Sequence, residues 1–514
     1  MFMDGIQLTL FANQLDAICE EMGILLKRAA FSPNIKDRLD FSCALFDARG
    51  ELCAQAAHIP VHLGSMAYAM RTLVATREWK PGDRFIVNDP YTGGTHLPDI
   101  TVIAPVFCGI QLTGFVANRA HHADVGADTA GSMPIATHIE QEGVRIVPVQ
   151  IISGGQLQQG IWRQICAQMN NPDHFKADIH AQLSACEFGL QKMTALIDSL
   201  TVPRFEASIS ALNAYAMRIA DQSLGRLPSG TYCFSDYLDD DGVGNGRIKL
   251  SLRLIICDNS IVVDFTGSAR QVAGNLNCPL AVTAAAVCYV FRCLMPQHTP
   301  NCAGAFSAIQ LQVPEDCVLN ARYPAAVAAG NVETSSRVVD VVLGALAKAI
   351  PEQIPAASHG SMNNLACGHQ GENGWDYYET MGGGMGASMH EDGLDGVQTH
   401  MTNTLNTPIE SLEMHYPLRV NRYAYRHGSG GRGVHKGGEG LLREIEFLSD
   451  ASLSLITERR QLAPWGLAGG EPGEVGSNML NGKELPAKVS MSVRSGDRVL
   501  ICSAGGGGWG KVQS

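Results

Sequence analysis

The sequence contains no long apolar run, no block of basic residues and no Walker-type phosphate loop. Its most apolar stretch, Leu280 to Met295, is about 16 residues long and includes Arg292, so it is too short and too charged to span a bilayer. A formal net charge of −12 without a Lys/Arg block makes nucleic acid and anionic membranes poor partners. Because no such phosphate loop occurs, the sequence gives no sign that this chain binds ATP itself.

Cysteine pairs with metal-binding spacing are also missing. The chain has 15 cysteines, an odd number, and none of them forms a Cys-x-x-Cys pair. This usage indicates a reduced protein without a thiolate metal site. The opening Met1 to Gly5 lacks the basic start and the long apolar run of a secretory signal. We therefore expect a cytoplasmic protein.

Length and composition predict a folded protein of several domains. With 514 residues, 45% of them hydrophobic and 17% charged, the chain is globular and long enough for two to four domains. The patterns predict a mixed, multi-domain α+β fold. A β-rich N-terminal region with the candidate site covers 1–200, a middle α+β region with helical stretches covers 201–380, and a Gly-rich β region covers 381–514.

Hydrophobic periodicity places several elements within these regions. Repeats of three and four predict helices, whereas short apolar or alternating runs predict strands. The predicted helices cover 6–30, 63–77, 173–201, 205–224, 282–293 and 338–350. The predicted strands include 41–46, a meander over 232–266, 445–447 and 453–456. Glycine clusters at 382–384, 428–440 and 505–508 predict tight turns between short strands.

Two polar loops lie at the ends of apolar, strand-like runs. The first, Asn88 to Asp99, is Gly-rich and lies between Phe85–Val87 and an apolar run over 100–107. The second, Asn118 to Gly126, follows Phe115–Ala117. Buried strands fix what such loops present, and functional residues are often found there. Because each loop is rich in histidine and aspartate, we expect one shared site.

The residue types in these loops suit a divalent metal. His96 and Asp99 lie three residues apart, and His121 follows 22 residues after Asp99. Neutral imidazole and carboxylate are preferred ligands of Zn²⁺, Mn²⁺ and Fe²⁺ in hydrolytic sites. A further carboxylate could come from Asp37 or Asp40 in an earlier polar segment. A chain with 16 histidines also forms His/Asp pairs by chance, so the metal and the structural interpretations both stay open.

Two neighbouring polar stretches have open roles. His122 and Asp124 could orient the metal ligands rather than bind the metal. The stretch Asn331 to Arg337 can cap a helix through Thr334 or Ser335. The same stretch could instead present a polar patch to the active cleft.

Several motifs together resemble the hydantoinase B/oxoprolinase family, the second subunits of ATP-dependent lactam and imide hydrolases. The resemblance extends over essentially the whole chain, and the combination of motifs is highly specific. The motifs are Ser32 to Ser42, Asn88 to Asp99, Ala120 to Gly126, Glu142 to Ile146, Asp264 to Gly267, Asn275 to Pro279, Gly330 to Ser335 and Arg426 to Gly440.

The resemblance implies a divided labour between two subunits. A hydantoinase A-type partner with an ATPase fold, which uses ATP and Mg²⁺, would phosphorylate the carbonyl oxygen of a cyclic amide. This chain would hold one divalent metal and complete ring opening, in an assembly that we expect to be α₂β₂. The substrate would be 5-oxoproline, a hydantoin or a similar ring.

The resemblance also implies a ligand set. His96, Asp99 and His121 fall on metal-ligand positions, and Asp40 is favoured over Asp37 as the fourth, because Asp37 stands where the family more often has glutamate. Zinc is the favoured metal and manganese, used by related carboxylases, is the alternative. His122 or Asp124 would serve as a catalytic proton shuttle.

Two other functions remain open at this level. The chain could belong to an ATP-dependent ketone carboxylase of the acetone or acetophenone type, which has a similar metal-bearing subunit. It could also be a non-catalytic scaffold whose His/Asp loops are only structural.

Overall fold

The computed structural model describes residues 5–57, 59–257, 260–370 and 374–512. These ranges contain helices α1 (Gly5–Ala29), α2 (Pro33–Lys36), α3 (His62–Ala75), α4 (Gln159–Cys166), α5 (Pro172–Leu200), α6 (Val202–Leu224), α7 (Leu280–Cys293), α8 (Ser335–Leu346) and α9 (Ile409–His415). Three short helical turns bear on the site: two 3₁₀ turns, Pro90–Thr92 and Ile139–Glu142, and a π-helical turn, Gly330–Thr334.

The strands of the same ranges form four sheets. The first ten are β1 (Phe41–Asp47), β2 (Leu52–Ala57), β3 (Arg84–Val87), β4 (Asp99–Cys108), β5 (Gln111–His121), β6 (Val149–Ser153), β7 (Gln156–Leu157), β8 (Gly230–Leu238), β9 (Ile248–Cys257) and β10 (Ser260–Asp264). The others are β11 (Ile309–Gln312), β12 (Asn364–His369), β13 (Trp375–Glu379), β14 (Leu418–Arg426), β15 (Gly440–Phe447), β16 (Ala451–Ile456), β17 (Ser477–Leu480), β18 (Lys483–Leu485), β19 (Lys488–Val493) and β20 (Arg498–Cys502).

A seven-stranded sheet, here called the site sheet, carries the candidate site. Its order is β2-β1-β5-β4-β3-β6-β7, and its neighbouring strands are antiparallel. The central strands β4 and β5 are buried on both faces for most of their length. This explains why the sequence shows continuous apolar runs there rather than alternation.

Helices cover both faces of the site sheet. On one face, α1 and α5 pack against the strands, with Leu15 and Met22 of α1 in the main core. On the other face, α3 contributes Met66 and Met70 to a second cluster that also contains Phe115 of β5. The site sheet is therefore held between two apolar layers, so that polar groups gather at the strand ends.

The second sheet, β11-β10-β9-β8, packs with α8, and a buried ion cluster joins them to the last third of the chain. The Arg459 guanidinium lies 2.6 Å from Asp340 and 3.0 Å from Asp236, and Arg337 lies 3.2 Å from Asp236. Burial disfavours the charge on Asp236, but the two guanidinium groups outweigh it and lower its pKa to about 2. Charges removed from water require such pairing.

The last third contains two sheets, β13-β12-β16-β19 and β14-β15-β20-β17-β18, around a glycine-rich centre. Gly505 to Gly508 are buried, and the amides of Gly506 and Gly507 donate to the carbonyls of Gly438 and Ala357. At each of these four glycines, a Cβ atom would lie within 3.0 Å of a neighbouring carbonyl oxygen. Glycine is required here because neighbouring backbones approach too closely for a side chain.

The structure confirms the mixed α/β multi-domain class that the sequence predicts. The prediction of tight turns at 505–508 is wrong, because these glycines form a buried, backbone-paired segment rather than a surface turn. The division at 200 and 380 stays a prediction. Within the described ranges, the helices are either too short or too polar to cross a membrane.

Candidate metal centre

The hairpin of β4 and β5 brings two of the predicted ligands together. Asp99 is the first residue of β4, His121 is the last residue of β5, and the two are direct partners in the strand register. Asp99 Oδ1 lies 3.3 Å from His121 Nδ1. Both side chains are at most 3% exposed. Antiparallel pairing therefore joins residues that lie 22 positions apart in the sequence.

His96 comes from the loop that precedes β4. Asp89 caps the turn Pro90–Thr92 by accepting from the Tyr91 amide, and Gly93 follows with a φ of 107°, which favours glycine. The compact loop places His96 Nε2 3.3 Å from Asp99 Oδ1. The other ring nitrogen, Nδ1, donates to the Ala328 carbonyl at 3.3 Å. The ring thereby directs Nε2 toward Asp99 and His121.

The second oxygen of Asp99 is held by three polar groups. Thr95 Oγ1 donates to Asp99 Oδ2 at 2.5 Å, and His62 Nε2 and Asn331 Nδ2 lie 3.4 Å and 3.5 Å from it. His62 Nδ1 is in turn 3.0 Å from Ser42 Oγ. Because Oδ2 is engaged in this way, Oδ1 is the oxygen that faces the two histidines.

Asp40 lies at the edge of this group. Its Oδ2 is 4.0 Å from His121 Nδ1 and 3.9 Å from the buried Arg38 guanidinium. Its backbone carbonyl accepts from the His121 amide at 3.0 Å. Asp37 is half-buried and does not line the cavity beside the histidines. The structure therefore brings Asp40, and not Asp37, to the site.

His122 and Asp124 are directed away from the cavity. His122 Nε2 donates to Gln182 Oε1 at 2.9 Å, on the α5 side of the site sheet. The Asp124 carboxylate accepts from the backbone amides of Gly126 and Asn171. Neither residue lines the cavity. These contacts favour structural roles, and proton transfer by either residue stays a prediction.

Burial and charge act in opposite directions on the histidines. Burial lowers the pKa of His121, which favours the neutral ring that binds metal ions. Burial also opposes the charge on His96, but the Asp99 carboxylate outweighs this effect and raises the pKa of His96. For Asp99, the histidine neighbours overcome burial and hold its pKa well below the usual range. The aspartate is therefore ionised.

The cavity beside these groups is small. Its volume is about 20 Å³, enough for roughly one ion or water molecule. His121 stacks on Tyr378, with ring centroids 4.9 Å apart. The remaining lining residues mix apolar and polar side chains: Ile59, Val61, His62, Asn331, Val332, Met362, Thr380, Met401 and Thr402.

The residues fit a divalent metal ion. One ligand atom each from His96, Asp99 and His121 lie within 4.8 Å of one another, and this is the one such group in the described ranges. The Nε2 atoms of His96 and His121 are buried and lack hydrogen-bond partners. Buried polar atoms without partners are rare in folded proteins, and an ion is one of the groups that satisfies them. Two imidazoles and a carboxylate suit zinc or manganese equally.

Sequence reasoning missed His62 and Thr95. His62 is the first residue of α3, one position before the predicted helix, and Thr95 directly precedes His96. A histidine at the start of a predicted helix is a weak signal that could have indicated His62. Asn331 lies in the polar stretch for which the sequence left two roles open, helix capping and a polar patch at the cleft. Its side-chain amide lies at the cleft.

Comparisons with known proteins agree on one family. A sequence model described as hydantoinase B/oxoprolinase matches residues 4–512. The 5-oxoprolinase of Dictyostelium discoideum is 38% identical over 527 residues, covering 100% of this chain and 41% of that protein. The putative B-type subunit of a D-/L-hydantoinase from Pseudomonas sp. strain NS671 is 31% identical over 535 residues, covering 99% and 90%. The chain thus spans about two fifths of that 5-oxoprolinase but most of the hydantoinase subunit.

Two solved structures share the fold. The ATP-dependent caprolactamase from Pseudomonas jessenii matches with a TM-score of 0.93 and 27% identity, covering 99% of this chain and 92% of that chain. Acetone carboxylase matches with a TM-score of 0.88 and 17% identity, covering 99% and 76%. The second likeness concerns the fold alone.

Proposed function

This chain belongs to the hydantoinase B/oxoprolinase family, and on that premise we propose that it is the metal-bearing subunit of an ATP-dependent enzyme that opens a cyclic amide. The observation that carries the proposal is the buried group of His96, Asp99 and His121, with two imidazole nitrogens that lack hydrogen-bond partners. The names of its relatives, a 5-oxoprolinase, a hydantoinase and a caprolactamase, support cyclic amides as the substrate class.

ATP would be used by a second subunit. An unactivated amide is a poor electrophile, and phosphorylation of its carbonyl oxygen makes the carbonyl carbon easier to attack. We assign that step to a hydantoinase A-type ATPase that uses ATP and Mg²⁺, with an α₂β₂ assembly as the working hypothesis. The hydantoinase relative is named as one subunit of its enzyme, and the 5-oxoprolinase is more than twice as long as this chain; both support a separate ATP-using part.

His96, Asp99 and His121 would hold the metal ion, with Asp40 as the fourth ligand. Zinc is the first choice and manganese the alternative. A divalent ion bound there supplies Lewis-acid chemistry, which polarises a carbonyl or phosphoryl oxygen and strengthens water as a nucleophile. One water would add to the carbon whose oxygen carries the phosphate, and the C–N bond would break as the ring nitrogen takes a proton. A second water would then hydrolyse the resulting acyl phosphate to a carboxylate and free phosphate.

The surrounding residues fix the ligands and limit water. Thr95 and His62 restrain the Asp99 carboxylate, and Tyr378 restrains the His121 ring by stacking. Ile59 and Met401 contribute apolar surface to the cavity wall. A mostly buried site strengthens electrostatic interactions with a reacting group, because little bulk water screens them.

The cavity is too small for the proposed substrate in this conformation. Its volume of about 20 Å³ compares with roughly 300 Å³ or more for typical ligand pockets. A lactam ring would therefore reach His96 and His121 only after lining side chains such as Met401 move. We propose that docking of the ATPase subunit moves these side chains and opens the cavity.

The test is a metal and activity assay of the chain co-expressed with its ATPase partner. We expect His121→Ala to lose the bound metal and the ATP-dependent ring opening, while His298→Ala, an exposed histidine, keeps both. Phosphate release against 5-oxoproline, hydantoins and simple lactams would identify the ring. Full metal occupancy with wild-type turnover in His121→Ala contradicts the assignment.

The same preparation separates the alternative functions. ATP use that depends on bicarbonate and a ketone would identify a carboxylase, which only the shared fold supports. A purified complex without stoichiometric metal would instead favour a non-catalytic scaffold.

A further inference from the structure

A buried glutamate lies behind His96, on the side away from Asp99. Glu142 ends the turn Ile139–Glu142 and is 0% exposed. Its Oε1 accepts from the backbone amides of Val327 and Ala328, both at 2.8 Å. A carboxyl oxygen that accepts from two successive backbone amides fixes the direction of the peptide group between them and of the carbonyl that follows.

That carbonyl is the one that orients His96. Ala328 O accepts from His96 Nδ1 at 3.3 Å. With a proton held on Nδ1, the free lone pair of the ring lies on Nε2, the atom that faces Asp99 and has no hydrogen-bond partner. Hydrogen bonding at one ring nitrogen decides which nitrogen is left to bind a metal.

A second set of hydrogen bonds joins the loop that carries His96 to the segment that follows Glu142. Asn88 is buried and donates to the carbonyls of Leu97 and Val144 at 2.8 Å and 3.0 Å. Its Oδ1 accepts from the Ile146 amide at 2.7 Å. The loop that carries His96 is thus tied to the segment that follows Glu142, so a change at Glu142 has a short, rigid route to His96.

We propose that Glu142 is a positioning residue for the metal centre, acting on His96 through the Val327–Ala328 backbone. The inference rests on the proposed function, because it takes His96 as a metal ligand. Glu142 Oε2 is buried without a hydrogen-bond partner. Such a group costs free energy in the fold.

The chemistry of Glu142 suggests a conservative variant. Burial is the largest effect on this carboxyl group and raises its pKa to about 8. A neutral glutamine should therefore replace it closely, because the amide oxygen can still accept from both backbone amides. Glu142→Ala removes the acceptor, and Glu142→Asp keeps the carboxyl group but shortens its reach.

The experiment is a zinc titration of the full chain against a competing chelator, together with thermal unfolding of the metal-free form. We expect Glu142→Ala to raise the zinc Kd about 10- to 100-fold, the range for groups that orient metal ligands. Glu142→Gln should restore an affinity close to wild type. The matched control is Asp83→Ala, because Asp83 is also buried and accepts from two backbone amides, but at the far end of β3.

Each outcome has one meaning. A wild-type chain that binds no zinc or manganese contradicts the proposed metal site itself. A wild-type chain that binds zinc, with unchanged affinity in Glu142→Ala, overturns only the role of Glu142, as does an equal loss of affinity in Asp83→Ala. If Glu142→Ala does not fold, Glu142→Asp decides: a weakened affinity supports the role and a wild-type affinity overturns it.

Discussion

Asp99 and His121 are opposite one another at the open end of the β4–β5 hairpin, with Asp99 Oδ1 3.3 Å from His121 Nδ1. The hairpin register, rather than a flexible loop, determines this distance. A ligand pair held by strand pairing loses little conformational freedom when an ion binds, because the backbone is already ordered. Of the three residues His96, Asp99 and His121, only His96 depends on loop geometry.

Thr95 should tune metal affinity without being a ligand. Its hydroxyl donates to Asp99 Oδ2 at 2.5 Å. Thr95→Val removes this bond at nearly constant volume, so we expect the zinc Kd to rise about tenfold. Thr113→Val is the control, because Thr113 is equally buried but donates to Val106 O at the other end of the hairpin. Equal affinities of the two variants in a chelator competition would contradict this role.

His122 separates a structural role from a catalytic one. Because its ring donates to Gln182 on the α5 side, we expect His122→Ala to keep one metal ion per chain. The unpaired Gln182 oxygen should lower the free energy of unfolding by about 1–3 kcal/mol. Metal analysis, denaturant unfolding and turnover of the co-expressed complex check this. A variant that keeps its metal and stability but loses turnover would instead support the proton-transfer role predicted from the sequence.

Glu333 should make stability depend on pH near neutrality. Burial first, and then the charge of Glu458, raise the pKa of Glu333 to about 7, above the ordinary 4.5. A raised pKa contributes stability that is fully present below pH 4.5 and is lost as the pH rises through 7. The total loss is at most about 3–4 kcal/mol, since one pKa unit corresponds to about 1.4 kcal/mol.

Glu333→Gln provides the comparison for that pH dependence. The amide oxygen can replace Oε1, which accepts from the Met362 amide and from Asn364 Nδ2. Denaturant midpoints of wild type and variant between pH 5 and pH 8 should therefore diverge, with the wild type losing stability relative to Glu333→Gln as the pH rises. Parallel curves would show that Glu333 does not titrate in this range.

The glycine-rich centre should be intolerant of any side chain. A Cβ atom at Gly506 would lie within 3.0 Å of the Met385 carbonyl, which is backbone and cannot move aside. We expect Gly506→Ala to destabilise the protein by more than about 4 kcal/mol. Gly246→Ala is the control, because no atom lies within 4 Å of its Cβ position, and we expect a change within about 0.5 kcal/mol. Similar melting temperatures would contradict this view of the glycine centre.

Helices and strands could be predicted from the sequence where the hydrophobic periodicity is strong. The predicted helices at 173–201 and 63–77 correspond to α5 (Pro172–Leu200) and α3 (His62–Ala75), and the predicted strand at 41–46 corresponds to β1. Local pattern decides such elements because each buries one apolar face. The sequence missed α4 (Gln159–Cys166), which is only eight residues long, so its apolar positions repeat too few times to stand out.

The candidate site was predictable in its ligands but not in its surroundings. His96, Asp99 and His121 stand in polar stretches that the sequence singles out, and the structure brings them together, with Asp99 and His121 in strands rather than in the predicted loops. His62 reaches Asp99 only because α3 packs on the site sheet, and such long-range packing leaves no local pattern. The opposite directions of His121 and His122 follow from strand alternation, which the sequence could have indicated had β5 been extended to its true end.

The glycine segment Gly505 to Gly508 also sets an order of events during synthesis. The segments that surround it, around Ala357, Met385, Ser429 and Glu471, are all made earlier, and they enclose a space that no other described segment fills. The ribosome must therefore deliver this segment before the last third of the chain can close. Until then, the carbonyls and amides around that space stay open to water and to other chains. A nascent chain that has not yet reached this segment should consequently be more prone to aggregate than one that has.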